Sequence, residues 1–123
     1  MPERVQKKTI QIVAREEHPR GLLTRLSAVK HKVLVVLTVH ASERMREWQI
    51  SEERVMRALL YPAEVLKGHR GRFIAHRVYG RRVLRVIYEY DGTTPTVITL
   101  YNPSAKRYFQ GGGIYEDQIL SRG

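Results

Sequence analysis

The sequence predicts an α+β domain in which two short helices pack against an antiparallel sheet. Three observations predict this class: helical apolar spacing between residues 39 and 61, alternating β-branched segments after residue 63, and short turns between those segments. A chain of 123 residues is long enough for one hydrophobic core. We therefore expect one helical layer on one sheet.

The two helices are predicted from their apolar spacing and from the residues at their ends. The first begins near His40, where Thr38 is a candidate cap. Its apolar face consists of Ala41, Met45 and Trp48. Ser51 is placed to cap the second helix, because its hydroxyl can accept a backbone N–H of the first turn. Pro62 ends that helix, since proline disfavours helical conformation in the residue before it.

The predicted strands are short, β-branched segments separated by turn residues. They cover residues 33–37, 64–69, 72–79, 81–90 and 96–101. Asp91-Gly92 is a strong signal for a tight turn. Short turns between successive strands indicate an antiparallel meander.

Residues 1–32 are predicted to form a separate basic segment, and residues 33–123 the α+β domain. Leu22, Leu23, Leu26 and Val29 give a short helical face. Because chain termini are disordered unless something ties them down, an extra helix and a mobile arm both remain open.

The composition indicates an anionic partner. Lys and Arg number 22 against 12 Asp and Glu, which gives a net charge of +10. Such a balance most often reflects nucleic-acid binding, although a basic surface without a partner is the alternative. The chain has no cysteine, which excludes disulfides and thiol chemistry and fits a reducing cytoplasm. We find no signal peptide and no apolar run that would span a membrane, so a cytoplasmic location is expected.

The residues that remain as chemical candidates are basic and aromatic. The five histidines lack metal-ligand spacing and no phosphate-binding loop is present, so no metal and no cofactor are predicted. Candidate RNA-binding residues are Lys67, Arg72, Arg77, Arg81, Arg82, Arg85, Lys106, Arg107 and Tyr108. The alternative is that tyrosines pack at the core edge while arginines face solvent. From spacing alone, His40 is more simply a hydrogen-bonding residue at a helix end.

Several segments in a fixed order resemble a known family. His40-Ala41-x-x-Arg44-Met45, then Ile50-Ser51, Tyr61-Pro62 and the closing strand 97–101, resemble a small bacterial family of unknown function that begins with H-A-x-x-R-M. The resemblance covers about residues 37–109. It implies the fold of RelE-like and barnase-like ribonuclease toxins, with helices on a roughly four-stranded antiparallel sheet.

The resemblance also implies an activity. The protein would be a toxin that cleaves RNA and that is bound by an acidic antitoxin protein. It places the recurring polar positions at His40, Arg44 and Tyr101. Trp48 departs from the pattern, since many members carry a second basic residue there.

We therefore expect a metal-independent endoribonuclease acting on free or ribosome-bound RNA. His40 or Tyr101 would transfer protons, and Arg44, Arg77 and Arg85 would hold phosphate. Two alternatives stay open, a non-catalytic nucleic-acid-binding module and a domain whose basic surface binds an acidic protein. The sequence does not predict an oligomeric state.

Overall fold

The centre of the molecule is one mixed sheet of seven strands, seen in a computed structural model that describes residues 9–122. The strands are β1 (Ile10–His18), β2 (Gly21–Ala28), β3 (His31–Thr38), β4 (Glu64–Lys67), β5 (Phe73–Tyr79), β6 (Arg82–Asp91) and β7 (Thr94–Tyr101). Their order across the sheet is β1-β2-β3-β7-β6-β5-β4. The β3–β7 pair is parallel and the other pairs are antiparallel.

Two helices of nine residues connect β3 to β4, and two shorter helical segments follow the last strand. They are α1 (Val39–Glu47), α2 (Glu52–Leu60), α3 (Ala105–Tyr108) and a 3-10 turn (Ile119–Ser121). The Thr38 hydroxyl accepts from the Ala41 N–H, and the Ser51 hydroxyl accepts from the Arg54 N–H. Both predicted helix caps are therefore confirmed. None of the helices between residues 9 and 122 is long and apolar enough to span a membrane.

The predicted fold class is wrong, because the sheet has seven strands and is mixed instead of roughly four-stranded and antiparallel. The strands predicted after residue 63 are present as β4 to β7. The prediction missed the hairpin β1–β2 and the parallel contact through which β3 joins β7. Parallel pairing depends on where a distant strand lies in space, which short-range patterns do not record.

The helical face predicted at residues 22–29 is also wrong, because residues 22–28 belong to β2 and Val29 lies in the turn that follows. Thr24, Leu26 and Ala28 are buried at alternate positions, as in a strand. Thr24 is polar, and it is accommodated in the interior because its hydroxyl donates to Glu52 Oε2 at 2.9 Å. Residues 1–8 of the predicted basic segment lie outside the described residues. The predicted division after residue 32 falls inside β3.

The sheet has two faces with different environments. On β6, Leu84, Val86 and Tyr88 point into the main hydrophobic core, which includes Val55, Met56 and Leu59 of α2. We call this the core face. Because side chains alternate along a strand, Arg85 and the other odd-numbered residues of β6 point to the opposite face, which we call the site face.

After β7 the chain crosses over β6 and reaches the β4 edge of the sheet. The Ala105 N–H donates to Arg81 O, which seats α3 beside β6. The Val65 N–H donates to Ile114 O, and the Glu116 N–H donates to Val65 O. Residues 109–113 join these two attachments, and we call them the glycine segment because they contain Gly111, Gly112 and Gly113.

Candidate functional site

Four polar residues occupy directly paired positions on four neighbouring strands. Tyr101 of β7 pairs with Arg85 of β6, Arg85 pairs with His76 of β5, and His76 pairs with Glu64 of β4. Directly paired residues share one face of a sheet. The four side chains therefore form a continuous line on the site face, which we call the cross-strand row.

Hydrogen bonds connect three residues of the row, Glu64, His76 and Arg85, and fix the tautomer of His76. Its Nδ1 lies 2.6 Å from Glu64 Oε2, and its Nε2 lies 3.1 Å from an Arg85 guanidinium nitrogen. Arginine can only donate, so Nε2 is the acceptor and Nδ1 carries the proton that is donated to Glu64. Burial lowers the pKa of His76 and the nearby Arg85 charge lowers it further, against the opposing hydrogen bond to Glu64.

Glu64 is a fully buried carboxylate with three donors. Besides His76, it accepts the Gln110 N–H at 2.8 Å and the Gly112 N–H at 2.9 Å. Burial alone would raise the pKa of Glu64, but these hydrogen bonds, led by that from His76, outweigh burial and lower it. The carboxylate is therefore charged and satisfied beneath the glycine segment.

The other end of the row reaches the surface through Arg85 and Tyr101. The Arg85 guanidinium carbon lies 4.3 Å from the ring centre of Tyr108 on α3, and partial burial lowers the pKa of Arg85. The Arg44 guanidinium carbon lies 5.6 Å from the ring centre of Tyr101, and Trp48 meets the same ring edge-on at 6.4 Å. We call Arg44, Arg85, Tyr101 and Tyr108 the basic-aromatic site.

His40 is exposed in the first turn of α1, one helical turn before Arg44. The two residues therefore lie on the same stripe of the helix, which places His40 beside the site. Among the described residues, no hydrogen bond connects its imidazole to Tyr101 or to either site arginine.

The structure separates the other predicted RNA-binding cations into two groups. Arg81, Arg82, Lys106 and Arg107 are exposed where α3 meets β6, next to the site. Lys67 and Arg77 follow Glu64 and His76 by odd numbers of residues, so they point to the core face. Arg77 donates to Tyr61 O at the end of α2, and Arg72 pairs with Glu89 at 3.2 Å.

Glu64, His76 and Trp48 take part in the site although the sequence did not assign them to it. Glu64 and His76 become visible only once strand register pairs both with Arg85. Trp48 was predicted as part of the apolar face of α1, and its ring lies at the end of that face against Tyr101.

A second buried carboxylate lies on the core face. Asp117 accepts the Tyr88 hydroxyl at 2.7 Å, the Tyr90 hydroxyl at 2.6 Å and the Arg122 Nε–H at 2.7 Å. Burial raises the pKa of both phenols well above its ordinary value, and the hydrogen bonds to Asp117 raise it further. We call these four residues the tail cluster, because they attach residues 117–122 to β6.

A cavity of about 440 Å³ borders the tail cluster, between the first residues of β3, the β6–β7 turn and residues 119–122. Its walls include His31, Lys32, Tyr90 and Arg122 but none of the predicted site residues. Within residues 9–122 no three His, Cys, Asp or Glu side chains are grouped so that they could hold a metal ion.

The fold and the site define a small α+β protein with a mixed sheet and a basic, aromatic site at the end of a cross-strand row. The chain belongs to the family described as a domain of unknown function (DUF4258), whose model matches residues 37–102, more than half of the chain. Neither the curated proteins nor the solved structures contain a significant match. The matched region contains His40, Arg44, Glu64, His76, Arg85 and Tyr101.

Membership of a family of unknown function is confirmed. The family description names no activity, so the grouping with ribonuclease toxins stays a prediction.

Proposed function

We propose that the protein binds single-stranded RNA at the basic-aromatic site and cleaves it without a metal ion. The observation that carries this proposal is that two arginines, Arg44 and Arg85, flank one exposed tyrosine, Tyr101. Arg44 lies over the Tyr101 ring, and Arg85 is the cross-strand neighbour of Tyr101. Two neighbouring guanidinium groups suit a phosphate, and the tyrosine rings suit unpaired bases.

The charge of the site supports an anionic ligand. The net charge of the chain is +10, and the exposed cations of α3 and of the β5–β6 turn lie next to Arg85. The Arg44 Nε–H is buried without an acceptor among the described residues. An acceptor oxygen supplied by a ligand would remove the cost of that unsatisfied donor.

RNA can be cleaved by its own 2′-hydroxyl if the site supplies a base, an acid and positive charge. His40 or Tyr101 takes the 2′-hydroxyl proton, the 2′-oxygen attacks phosphorus, and the 5′-oxygen leaves with a proton from the other group. Arg44 and Arg85 neutralise the charge that develops on the phosphorane oxygens. The products are a 2′,3′-cyclic phosphate and a free 5′-hydroxyl.

The test uses labelled single-stranded RNA in EDTA, with a DNA strand of the same sequence as the substrate control. Wild type should cleave the RNA and not the DNA, because DNA lacks the attacking hydroxyl. The double variant H40A/Y101F should bind RNA without cleaving it. Cleavage that persists in this variant would contradict the assignment of the proton-transfer groups.

Binding is tested separately, by salt titration of RNA affinity. R44A should weaken binding and reduce the slope of log affinity against log salt by about one, because one phosphate contact is lost. R25A is the matched control, since Arg25 is an exposed arginine on β2, two strands away from β7. An equal loss in both variants would show that net charge alone binds RNA.

A second candidate function is RNA binding without cleavage. The observation that favours it is the absence of a hydrogen bond between His40 and Tyr101 among the described residues. Binding with an undiminished salt slope but no product under any ionic condition would select this candidate over the enzyme.

The toxin role is part of the same proposal. A surface of this charge fits an acidic antitoxin protein, which would cover Arg44 and Arg85 and block RNA. A ribosome-bound message is the alternative substrate if free RNA is bound but not cut. A cytoplasmic location follows from either substrate.

A further inference from the structure

We propose that Glu64 is a positioning residue of the basic-aromatic site, which holds Arg85 through His76 and Tyr108 through the glycine segment. This inference rests on the proposed function, because it takes the site to be the place where RNA binds. Glu64 itself does not reach the ligand, since its side chain is fully buried.

The first connection sets the direction of the Arg85 side chain. The Glu64 carboxylate accepts the His76 Nδ1–H, which leaves Nε2 of the same ring as an acceptor. That acceptor receives an N–H of Arg85 at 3.1 Å. The carboxylate therefore selects the only tautomer of His76 that can hold a guanidinium, as the partner of a ligand histidine does in metal sites.

The second connection sets the position of the Tyr108 ring. The Glu64 oxygens accept the N–H groups of Gln110 and Gly112, which lie just after α3. Gly112 has φ +86°, a left-handed conformation that favours glycine. These bonds tie down the end of α3, so that Tyr108 stays 4.3 Å from the Arg85 guanidinium.

The two connections meet at the same pair of side chains. The hydrogen bond from Arg85 to His76 holds the guanidinium, and the attachment of the glycine segment to Glu64 holds the Tyr108 ring against that guanidinium. One buried carboxylate thus fixes both members of a guanidinium–ring stack before a ligand arrives. Such preorganisation removes ordering costs from binding, so its loss should lower affinity for RNA even when the protein stays folded.

The decisive variant is E64Q, which keeps the shape of Glu64 and changes its hydrogen-bonding capacity. The amide has one acceptor oxygen for three donors. Glu64 Oε2 accepts from both His76 and Gln110, and Oε1 accepts from Gly112, so the amide oxygen keeps the first two bonds and its N–H₂ group faces the Gly112 N–H, which loses its acceptor. We expect nitrogen-15 NMR of the RNA-free protein to show the Nδ1–H tautomer of His76 in wild type and in E64Q, and a shifted Gly112 amide signal in E64Q.

The same variants are then titrated with labelled RNA. E64Q should bind about tenfold more weakly than wild type, which corresponds to the cost of one poorly satisfied buried donor. D117N is the matched control, because Asp117 is also a buried carboxylate with three donors but serves the tail cluster. It should lose stability and keep the RNA affinity of wild type.

Two further variants decide the question if E64Q does not fold. In H76Q the amide can donate to Glu64 and accept from Arg85, so affinity should stay near that of wild type. H76L makes neither bond and should lose about tenfold in affinity. Equal affinities of H76Q and H76L would overturn the proposal.

The remaining outcomes are also decisive. Unchanged affinity in E64Q would overturn the proposal, and so would an equal loss of affinity in D117N or a wild-type His76 that carries its proton on Nε2. If wild type binds no RNA, the proposed function is overturned by itself. The tautomer measurement needs no RNA and still decides whether Glu64 orients His76 towards Arg85.

Discussion

Two buried carboxylates, Glu64 on the site face and Asp117 on the core face, are bound by three donors each. The donors of Asp117 are two core tyrosines and the Arg122 guanidinium, which anchors the end of the chain. The donors of Glu64 are an imidazole and two backbone N–H groups. The imidazole and the backbone lead on to Arg85 and Tyr108, which are partly exposed. A buried carboxylate with three donors therefore attaches a chain segment at Asp117 and supports a surface site at Glu64.

This difference shows why hydrogen-bond satisfaction alone does not identify a functional residue. Each carboxylate accepts three hydrogen bonds. Burial raises the pKa of each, but the hydrogen bonds outweigh burial and lower the pKa below its usual value. What distinguishes Glu64 is that its partners, His76 and the glycine segment, support residues of the basic-aromatic site. The predictions below test this distinction by changing corresponding groups in the two clusters.

The largest effect should come from removing each carboxylate. E64A leaves three buried donors without an acceptor and should lower the free energy of unfolding by about 3 kcal/mol. D117A should lower it by about 2 kcal/mol, because Arg122 is about half exposed and can bind water. Urea unfolding measures both values. A loss below that of D117A in the E64A variant would contradict the greater burial assigned to Glu64.

The next effect is the dependence of stability on pH, which differs between the two clusters because different groups titrate in them. The pKa of His76 is lowered from 6.5, so the unfolded state binds its proton more readily than the folded state. The stability that His76 contributes is thus full above pH 6.5 and is lost as pH falls towards the lowered value. Glu64 and Asp117 have lowered pKa values, so their contributions are lost at more acidic pH, below 4.5 and 3.8 respectively.

Unfolding measurements between pH 7.5 and 5 test this assignment. Wild type and D117N should lose stability in parallel on acidification over this range, whereas H76Q should lose less. An identical pH slope in H76Q and wild type would show that His76 does not carry the effect.

The sequence predicted the parts of the molecule that depend on short-range patterns. The caps at Thr38 and Ser51, the end of α2 before Pro62 and the four strands after residue 63 all follow from local residue chemistry. The β1–β2 hairpin was missed because β1 is largely exposed and charged, and Thr24 occupies an inward position that hydropathy does not mark. The predicted number of strands was wrong for this reason, whereas the parallel β3–β7 contact was missed because it depends on where a distant strand lies.

The candidate site was predicted only in part, because it depends on strand register. Arg44, Arg85, Tyr101 and Tyr108 were among the predicted residues, and the structure brings them into contact. Their common support by Glu64 was not predictable, since residues 64, 76, 85 and 101 become neighbours only through the pairing of four strands. The tail cluster was missed because Asp117 lies in a segment without a periodic pattern.

A smaller effect should distinguish the tyrosines of the two clusters. Y88F removes a buried hydroxyl that donates to Asp117 and should lower the free energy of unfolding by about 1 kcal/mol. Y101F should change it by less than about 0.5 kcal/mol, because the Tyr101 side chain is partly exposed. In the EDTA cleavage assay the order should reverse, with Y88F active and Y101F impaired. An active Y101F variant would leave His40 alone as a candidate for proton transfer.

A further comparison uses two arginines that each stack on a tyrosine, where the expected change in stability is again small for Arg122. The Arg122 guanidinium carbon lies 3.7 Å from the ring centre of Tyr90, and that of Arg85 lies 4.3 Å from the ring centre of Tyr108. R122A should lower the free energy of unfolding by about 0.5 kcal/mol, since its charge is largely screened by water. It should leave RNA affinity unchanged at every salt concentration.

The main effect of the R85A substitution should be on RNA binding. It removes a charge that the cross-strand row holds at the surface, so RNA affinity should fall and the salt slope should decrease by about one. Because both variants remove one positive charge and one ring contact, their difference in affinity isolates the position of the guanidinium from its net charge. Equal salt slopes for R85A and R122A would mean that RNA binds the basic surface diffusely, and the difference between the two clusters would then be one of burial alone.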